Sequence, residues 1–317
     1  MELRQIVTGA AGFIGEHLCR SAAQSFGASL TASLDLRAAD PSLSHIEIAD
    51  IRDRAALQAL AGRLQTRAVI HLAAVAEAVL PSSAMPDLVA TNLLGTFNVL
   101  EAFEPARVVF ASSSAVYGTV RGRRARPVEG EAAATGAYGI SKLMGEAFCS
   151  QWADERGAGV VALRLGNVVG PRCRGLIPYL VSHAIRHPDG SVAARMRGAG
   201  RIVRDYVSVE CVVQALLKSV ELPLEPGRVE TINVGSGTGM TNGEVAKEVA
   251  RVLERCGYVL RVDPDDPPGL GESASVVLDV EPMTRVLGVI PPDRETVVRS
   301  IVHATLSHLE AMRPAVA

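Results

Sequence analysis

Tyr138 and Lys142 stand four residues apart in the run YGISK, and so share one face of any helix that carries them. A free phenol titrates near 10 and is a poor base at neutral pH. A neighbouring ammonium favours the phenolate. Lowering the phenol pKa by about 3 units takes roughly 4 kcal/mol of differential stabilisation, which close cations in a dry cleft can supply. Tyr138 would then exchange a proton with a substrate hydroxyl as a hydride leaves or joins the same carbon. Tyr–x–x–x–Lys is frequent by chance, and alone it reads as a surface pair. Ser113, in the run ASSSAVYG (111–118), raises its standing, because a strand-end hydroxyl can donate to a carbonyl or alkoxide oxygen. A serine closing a strand is also a common turn former.

A hydride needs a carrier, and residues 8–15, TGAAGFIG, have the spacing of a dinucleotide-binding turn. Gly9 allows the tight bend, Gly12 lets the backbone approach a pyrophosphate, and Gly15 lets helix and strand pack closely. The helix that follows points unpaired N–H groups at the phosphates. Asp35 ends the second strand pattern, where a carboxylate accepts a ribose 2′-OH and repels a 2′-phosphate, which favours NAD. Arg37 can instead hold a 2′-phosphate, so NADP is not excluded. An aspartate simply opening a turn is the plainer alternative.

These groups sit in a chain that alternates short apolar runs with amphipathic segments. Strands are expected at Gln5–Thr8, Ser29–Asp35, His45–Ile48, Ala68–Leu72, Val108–Ser112 and Val160–Leu165, and helices at Ile14–Ser25, Arg54–Arg63, Met85–Phe103 and Tyr138–Arg156. That order predicts an α/β fold of the Rossmann type, a doubly wound parallel sheet covered on both faces. After Gly166 the pieces shorten and prolines multiply, with helical periodicity at Leu176–Arg186, Val209–Val220, Asn242–Cys256 and Glu295–Leu309. The expected division is a cofactor-binding domain over 1–165 and a smaller, mixed α/β C-terminal substrate lobe over 166–317. Segments near 205–235 are expected to return to the larger domain.

Composition narrows the partners. The 317 residues are 48% hydrophobic and 21% charged with a formal net charge of −2, which fits a globular enzyme rather than a disordered chain. No nucleic-acid or membrane partner is expected from that balance, and the basic run Arg121–Arg126 reads as a solvated loop. The five cysteines are scattered, odd in number and never spaced as a metal clip, which predicts reduced thiols and no metal. The first residues open into a strand pattern rather than a signal peptide, and no apolar run reaches the roughly 20 residues of a membrane span. A soluble, cytoplasmic protein is the expectation. His71 reads as structural, Cys149 as packing, and His183 with His187 as an exposed helix face without a third ligand.

Taken together, the motifs resemble those of the extended short-chain dehydrogenase/reductases, in particular the NAD-dependent epimerase/dehydratase family, over nearly the whole chain. TGAAGFIG is similar to the family's TGxxGFIG, ASSSAVYG with YGISK to its Ser–Tyr–Lys set, and LRLGNVVGP (163–171) to LRxxNVYGP. The resemblance implies Ser113, Tyr138 and Lys142 as catalytic. It adds Phe13, Ile14 and Leu36, the Asp50–Ile51 step, Leu72, Ala73 and Ala74 of HLAA, Asn92 and Leu165 to the cofactor cleft. It places Ser114, Asn167, Leu176 and Arg204 against a nucleotide-sugar substrate, with Arg204 suited to a phosphate.

The activity implied is that of a nucleotide-sugar epimerase, UDP-glucose 4-epimerase-like, with tightly held NAD. The alternative is an NAD(P)H-dependent 4-ketoreductase or dehydrogenase acting on a sugar-derived substrate. The family's dehydratases carry an Asp–Glu pair where Ser114 and Ala115 stand, so dehydration is not expected. A homodimer through the helices at 85–103 and 138–156 is implied by the same resemblance. The chain departs from the family at Arg197, Val169, Val209–Cys211 and PPGLGESAS (267–275), all on the substrate side.

Overall fold

The computed structural model describes residues 5–25, 30–37, 46–64, 66–77, 80–120, 122–128, 130–197, 200–266 and 275–311. Its strands are β1 (Gln5–Thr8), β2 (Leu30–Asp35), β3 (Ile46–Ile48), β4 (Ala68–His71), β5 (Arg107–Ser113), β6 (Gly159–Leu165), β7 (Asn167–Val169), β8 (Ala194–Arg197), β9 (Val203–Ser208), β10 (Val229–Val234), β11 (Gly239–Thr241) and β12 (Val262–Asp266). The helices are α1 (Phe13–Ser25), α2 (Arg54–Leu64), α3 (Met85–Val89), α4 (Thr96–Phe103), α5 (Ala137–Arg156), α6 (Leu176–Arg186), α7 (Val209–Glu221), α8 (Asn242–Arg255) and α9 (Arg294–Ala311).

A seven-stranded sheet in the order β10-β6-β5-β4-β1-β2-β3, parallel throughout, forms the centre. Its strands read as unbroken apolar runs because both faces are covered. Neighbours along a strand serve opposite layers. Val7, Ile70 and Val109 pack with Leu18 of α1 and Leu216 of α7. Ile6 and Val69 pack with Leu57 of α2 and Val99 of α4, and Val108 with Trp152 of α5. The C-terminal ends of the parallel strands bring Thr8, Asp35, His71, Ser113 and Leu165 to one edge, where open α/β sheets bind ligands.

After Leu165 the chain leaves this sheet. Strands β11, β9 and β7 form a small sheet, with β9 antiparallel to β11 and parallel to β7, and β12 pairs β8 in parallel. Helices α6, α8 and α9 close over Ile177, Leu180, Val249, Val298 and Ile301. Between these pieces α7 packs against β5 and β6, and β10 joins the large sheet beside β6.

Some expectations need correction. The helix read as continuous over Met85–Phe103 contains a π-helical stretch at Ala90–Gly95, which a 3.6-residue period cannot reveal. There Gly95 seats the Ile51 side chain, since a Cβ would lie 2.7 Å from Ile51 Cγ1. His183 is not on an exposed face: it is 9% exposed, with Nε2 3.1 Å from the Val192 carbonyl. Among the described residues no cluster of acidic, Cys or His side chains could hold a metal. In the basic run Arg123, Arg124 and Arg126 are exposed, as a solvated loop implies; only Ala125 among them is buried, and Arg123 and Arg126 both pair with Glu131. Ser29, His45, Arg121, Gly198 and residues 267–274 lie outside the described residues.

Candidate active site

The turn after β1 is built around its glycines. Gly9 has φ +74°, and a Cβ there would lie 2.6 Å from the Ala73 nitrogen. A Cβ on Gly15 would lie 2.7 Å from Ala10 Cα, so only glycine lets α1 approach the turn. Asp35 pins the turn to β2: Oδ2 accepts from Ala11 N at 2.9 Å and Oδ1 from Arg37 N at 3.2 Å. Leu72 N donates to Thr8 O and Ala73 N to Thr8 Oγ1, so the loop after β4 closes against the same strand.

A cleft of about 960 Å³ opens over this turn and the strand ends. Gly12, Phe13, Ile14, Arg37, Ser113, Ser114, Tyr138, Leu165, Asn167 and Arg204, all expected from the sequence, line it. Leu176 does not; half-buried, it packs against the core of the smaller lobe. Gly9, Gly15, Asp35, Ala73 and Leu72 shape the turn from behind. Asp50 is engaged by Arg52 at 2.7 Å, which holds its carboxyl below the usual range, and Ile51 is buried. Leu36 is exposed beyond the strand end, and Ala74 is half-buried. Asn92 is buried in the π-helical stretch. Its amide exchanges hydrogen bonds with Val75 N and O and donates to Ser141 Oγ at 2.9 Å, tying the β4 loop to α5.

Tyr138 lies in the first turn of α5, half-buried, on the cleft wall with Ser113. Burial pushes the phenol pKa up, and a hydrogen bond from Ser113 pulls it down. The expected net lowering is therefore not supplied by the chain's own groups. Lys142, one turn on, sits behind the cleft and not in its wall. Its Nζ donates to the Ala111 carbonyl at 2.8 Å and lies 5.1 Å from the Phe110 ring centroid. Burial brings its pKa down to about 8, against the pull of Cys149 and Glu146. His71, between Thr8 Oγ1 at 2.7 Å and Thr96 Oγ1 at 3.0 Å, is lowered to about 3 by burial and by Lys142. It is a neutral structural residue, as expected.

No local pattern announces the polar chain beneath these residues. Glu146 takes Arg164 in a two-point pair at 2.9 and 2.7 Å and also accepts from Ser112 Oγ. Arg164 lies over the Tyr117 ring, and Tyr117 OH donates to Asn233 at 2.6 Å. On the substrate side, Asp205 is buried and accepts from Ser236, Gly237 and Leu278. Asn167 bonds Tyr206, whose phenol burial pushes up to about 12. The cleft also takes in Glu16, Glu77, Thr135, Arg172 and Arg174, none of them singled out by a motif.

The NAD dependent epimerase/dehydratase family matches the chain over residues 5–235. The chain belongs to that family. It is therefore an NAD-dependent enzyme of the extended short-chain dehydrogenase/reductase type. It is 29% identical to a UDP-glucose 4-epimerase of Rhizobium meliloti (strain 1021) over 314 residues, 89% of this chain and 90% of the relative. A dTDP-glucose 4,6-dehydratase of Neisseria gonorrhoeae is 27% identical over 327 residues, 90% of each. Among solved structures, MoeE5 in complex with UDP-glucose and NAD superposes with a TM-score of 0.81 at 27% identity, covering 96% of this chain and 99% of that one. Relatives of nearly equal similarity thus carry different reaction names.

The residues present fit NAD. Gly12 lines the cleft with no side chain of its own, and Asp35 closes the neighbouring strand. Gly12, Phe13 and Ile14 line the cleft at the start of α1, where a helix N-terminus offers N–H groups suited to a diphosphate, and Tyr138 and Ser113 line the same cleft. Among the described residues no helix is long and apolar enough to cross a membrane.

Proposed function

We propose that the protein is a nucleotide-sugar epimerase of the UDP-glucose 4-epimerase kind, working through Ser113, Tyr138 and Lys142. The observation that carries this reading is one cleft wall. Ser113 and Tyr138 share it with the glycine turn, and the neighbouring Ser114 and Ala115 offer no carboxylate for elimination. Bound NAD supplies a reversible hydride acceptor. Tyr138 takes the proton of a sugar hydroxyl as the carbon gives up hydride, and returns it when hydride comes back to the opposite face. Ser113 donates to the oxygen throughout, favouring it as alkoxide and as carbonyl. Lys142, held by Ala111 one turn beyond Tyr138, contributes a positive charge behind the cleft that would favour the phenolate together with the positively charged ring of bound NAD.

The names of the relatives support a nucleotide diphosphate sugar, and Arg204 and Asn167 are the groups we assign to it. Gly9, Gly12, Phe13, Ile14, Gly15, Asp35 and Leu165 we assign to the cofactor. The test is a panel of nucleotide sugars incubated with the purified enzyme and no added cofactor. Interconversion of epimers, abolished in Tyr138→Phe with NAD binding unchanged, is the expected result. Stoichiometric consumption of added NADH or NAD would instead show a ketoreductase or dehydrogenase and overturn the proposal.

A homodimer belongs to the same proposal. Val89, Leu94, Phe97, Ile140 and Met144 are between 41% and 56% exposed on the helices at 85–103 and α5, which pack side by side. Clustered exposed apolar side chains of this kind suit burial against a second copy.

A further inference from the structure

We infer that Glu146 is a positioning residue for this site, holding Ser113, Lys142 and the Leu165 wall in one register and setting a negative charge beside the lysine. The inference rests on the catalytic assignment proposed above. Each partner of the Glu146 carboxylate adjoins a cleft residue. Ser112 precedes Ser113 on β5, Arg164 precedes Leu165 on β6, and Glu146 itself lies one turn beyond Lys142 on α5. One carboxylate therefore ties α5 and β5, which present the trio, to β6, which presents Leu165. The tie is buried, with the Arg164 and Glu146 side chains 8% and 11% exposed, so its hydrogen bonds are not diluted by water.

Beyond Arg164 the chain of contacts continues. Tyr117 stacks beneath the guanidinium and donates to Asn233 on β10. Asn233 donates to the carbonyls of Ala125 and Asp279. Val276, in the segment leading to Asp279, lines the cleft. The network thus reaches from the catalytic helix to the far wall.

The charge matters as well as the geometry. Lys142 faces Glu146 and Cys149 on its own helix, where Tyr138 stands one turn earlier, Phe110 and the Ala111 carbonyl on β5, neutral His71 on β4, and Arg164 on β6 through Glu146. Burial drives the ammonium toward its neutral form, and Glu146 opposes that. A neutral Lys142 would no longer favour the Tyr138 phenolate, so Glu146 extends the pH range over which the tyrosine works.

The Glu146→Gln variant leaves a buried guanidinium facing an amide and can fail to fold. The test therefore uses the double variant Glu146→Gln/Arg164→Met, together with Ser112→Ala, which keeps the charge pair. The chain has three lysines, Lys142, Lys218 and Lys247, and the last two are exposed, so lysine side-chain NMR follows Lys142 directly. In the double variant we expect the Lys142 midpoint to fall by about half a unit or more, and the alkaline limb of kcat to move with it. In Ser112→Ala we expect the midpoint to hold while kcat falls on the order of 10-fold with KM little changed. A folded double variant with an unmoved Lys142 midpoint and unchanged kcat overturns the inference. The titration needs no substrate. If wild-type protein turns over no nucleotide sugar, the proposed function fails, and an unmoved midpoint still overturns the electrostatic role on its own.

Discussion

Lys142 should make the protein less stable at neutral pH than it would be without that charge. Burial brings its pKa from the ordinary 10.5 to about 8. Below about pH 8 the amine is protonated whether the chain is folded or not, and the folded state bears the full cost of hiding it. Between about 8 and 10.5 the unfolded chain binds the extra proton, so stability rises with pH across this window. Above 10.5 both states are neutral and the cost has gone. The shift corresponds to about 3 kcal/mol at pH 7. Lys142→Met removes it and forfeits the hydrogen bond to Ala111, worth about 1 kcal/mol, leaving a net gain of about 2 kcal/mol. In a chain of this length that is a rise in Tm on the order of 4 °C. The assay is thermal unfolding of both proteins from pH 6.5 to 10.5, read as the difference between them, in which shared titrations cancel. The variant should melt higher at pH 7, the gap should close or reverse by pH 10.5, and turnover should be lost. A variant that melts lower at pH 7, or a gap that ignores pH, would refute the reasoning.

Three further outcomes are expected. Gly9→Ala forces a side chain into a backbone at φ +74° and into Ala73, so calorimetric titration should show NAD binding at least about 10-fold weaker and a stability loss of more than about 1 kcal/mol. His71, with Nδ1 accepting from Thr8 and Nε2–H donating to Thr96, should stay neutral down to about pH 4, so its ring resonances should not move between pH 5 and 8. Phe97→Glu on the exposed helix face should shift sedimentation toward the monomer with the far-ultraviolet spectrum unchanged; an unaltered dimer, or a wild-type monomer, would count against the proposed interface.

The large sheet was legible because burial on both faces writes each strand as an apolar run, and because the glycines of 8–15 are demanded by contacts with Ala73 and Ala10 that no other residue tolerates. The trio was legible for a similar reason: Tyr138 and Lys142 are related by the helical repeat, and Ser113 by its strand end. What escaped depends on side chains far apart in sequence. Glu146 and Arg164 meet only after β5, α5 and β6 have assembled, and neither bears a local mark of being buried. The π-helical stretch that turns Asn92 toward Val75 and Ser141 was invisible too, since its sequence continues a good helical pattern.

On the substrate side Ser114, Asn167 and Arg204 line the cleft as expected, but other groups there were not legible. A dinucleotide is gripped largely by backbone, so the turn leaves a spacing of glycines in the sequence. A sugar is gripped by side chains on irregular segments, whose direction follows from packing. Leu176 illustrates this: it matches a family segment and yet packs, half-buried, against the lobe's own core. Arg172 and Arg174 have no motif to announce them and still line the cleft. Arg172 is paired with Glu16 of α1, so that helix and the loop before α6 are joined across the cleft. The irregular segments after Leu165 are those on which local sequence rules have least hold. The shared wall of Ser113, Tyr138 and the glycine turn is where those rules are strongest, and it is the wall on which the chemistry is proposed to occur.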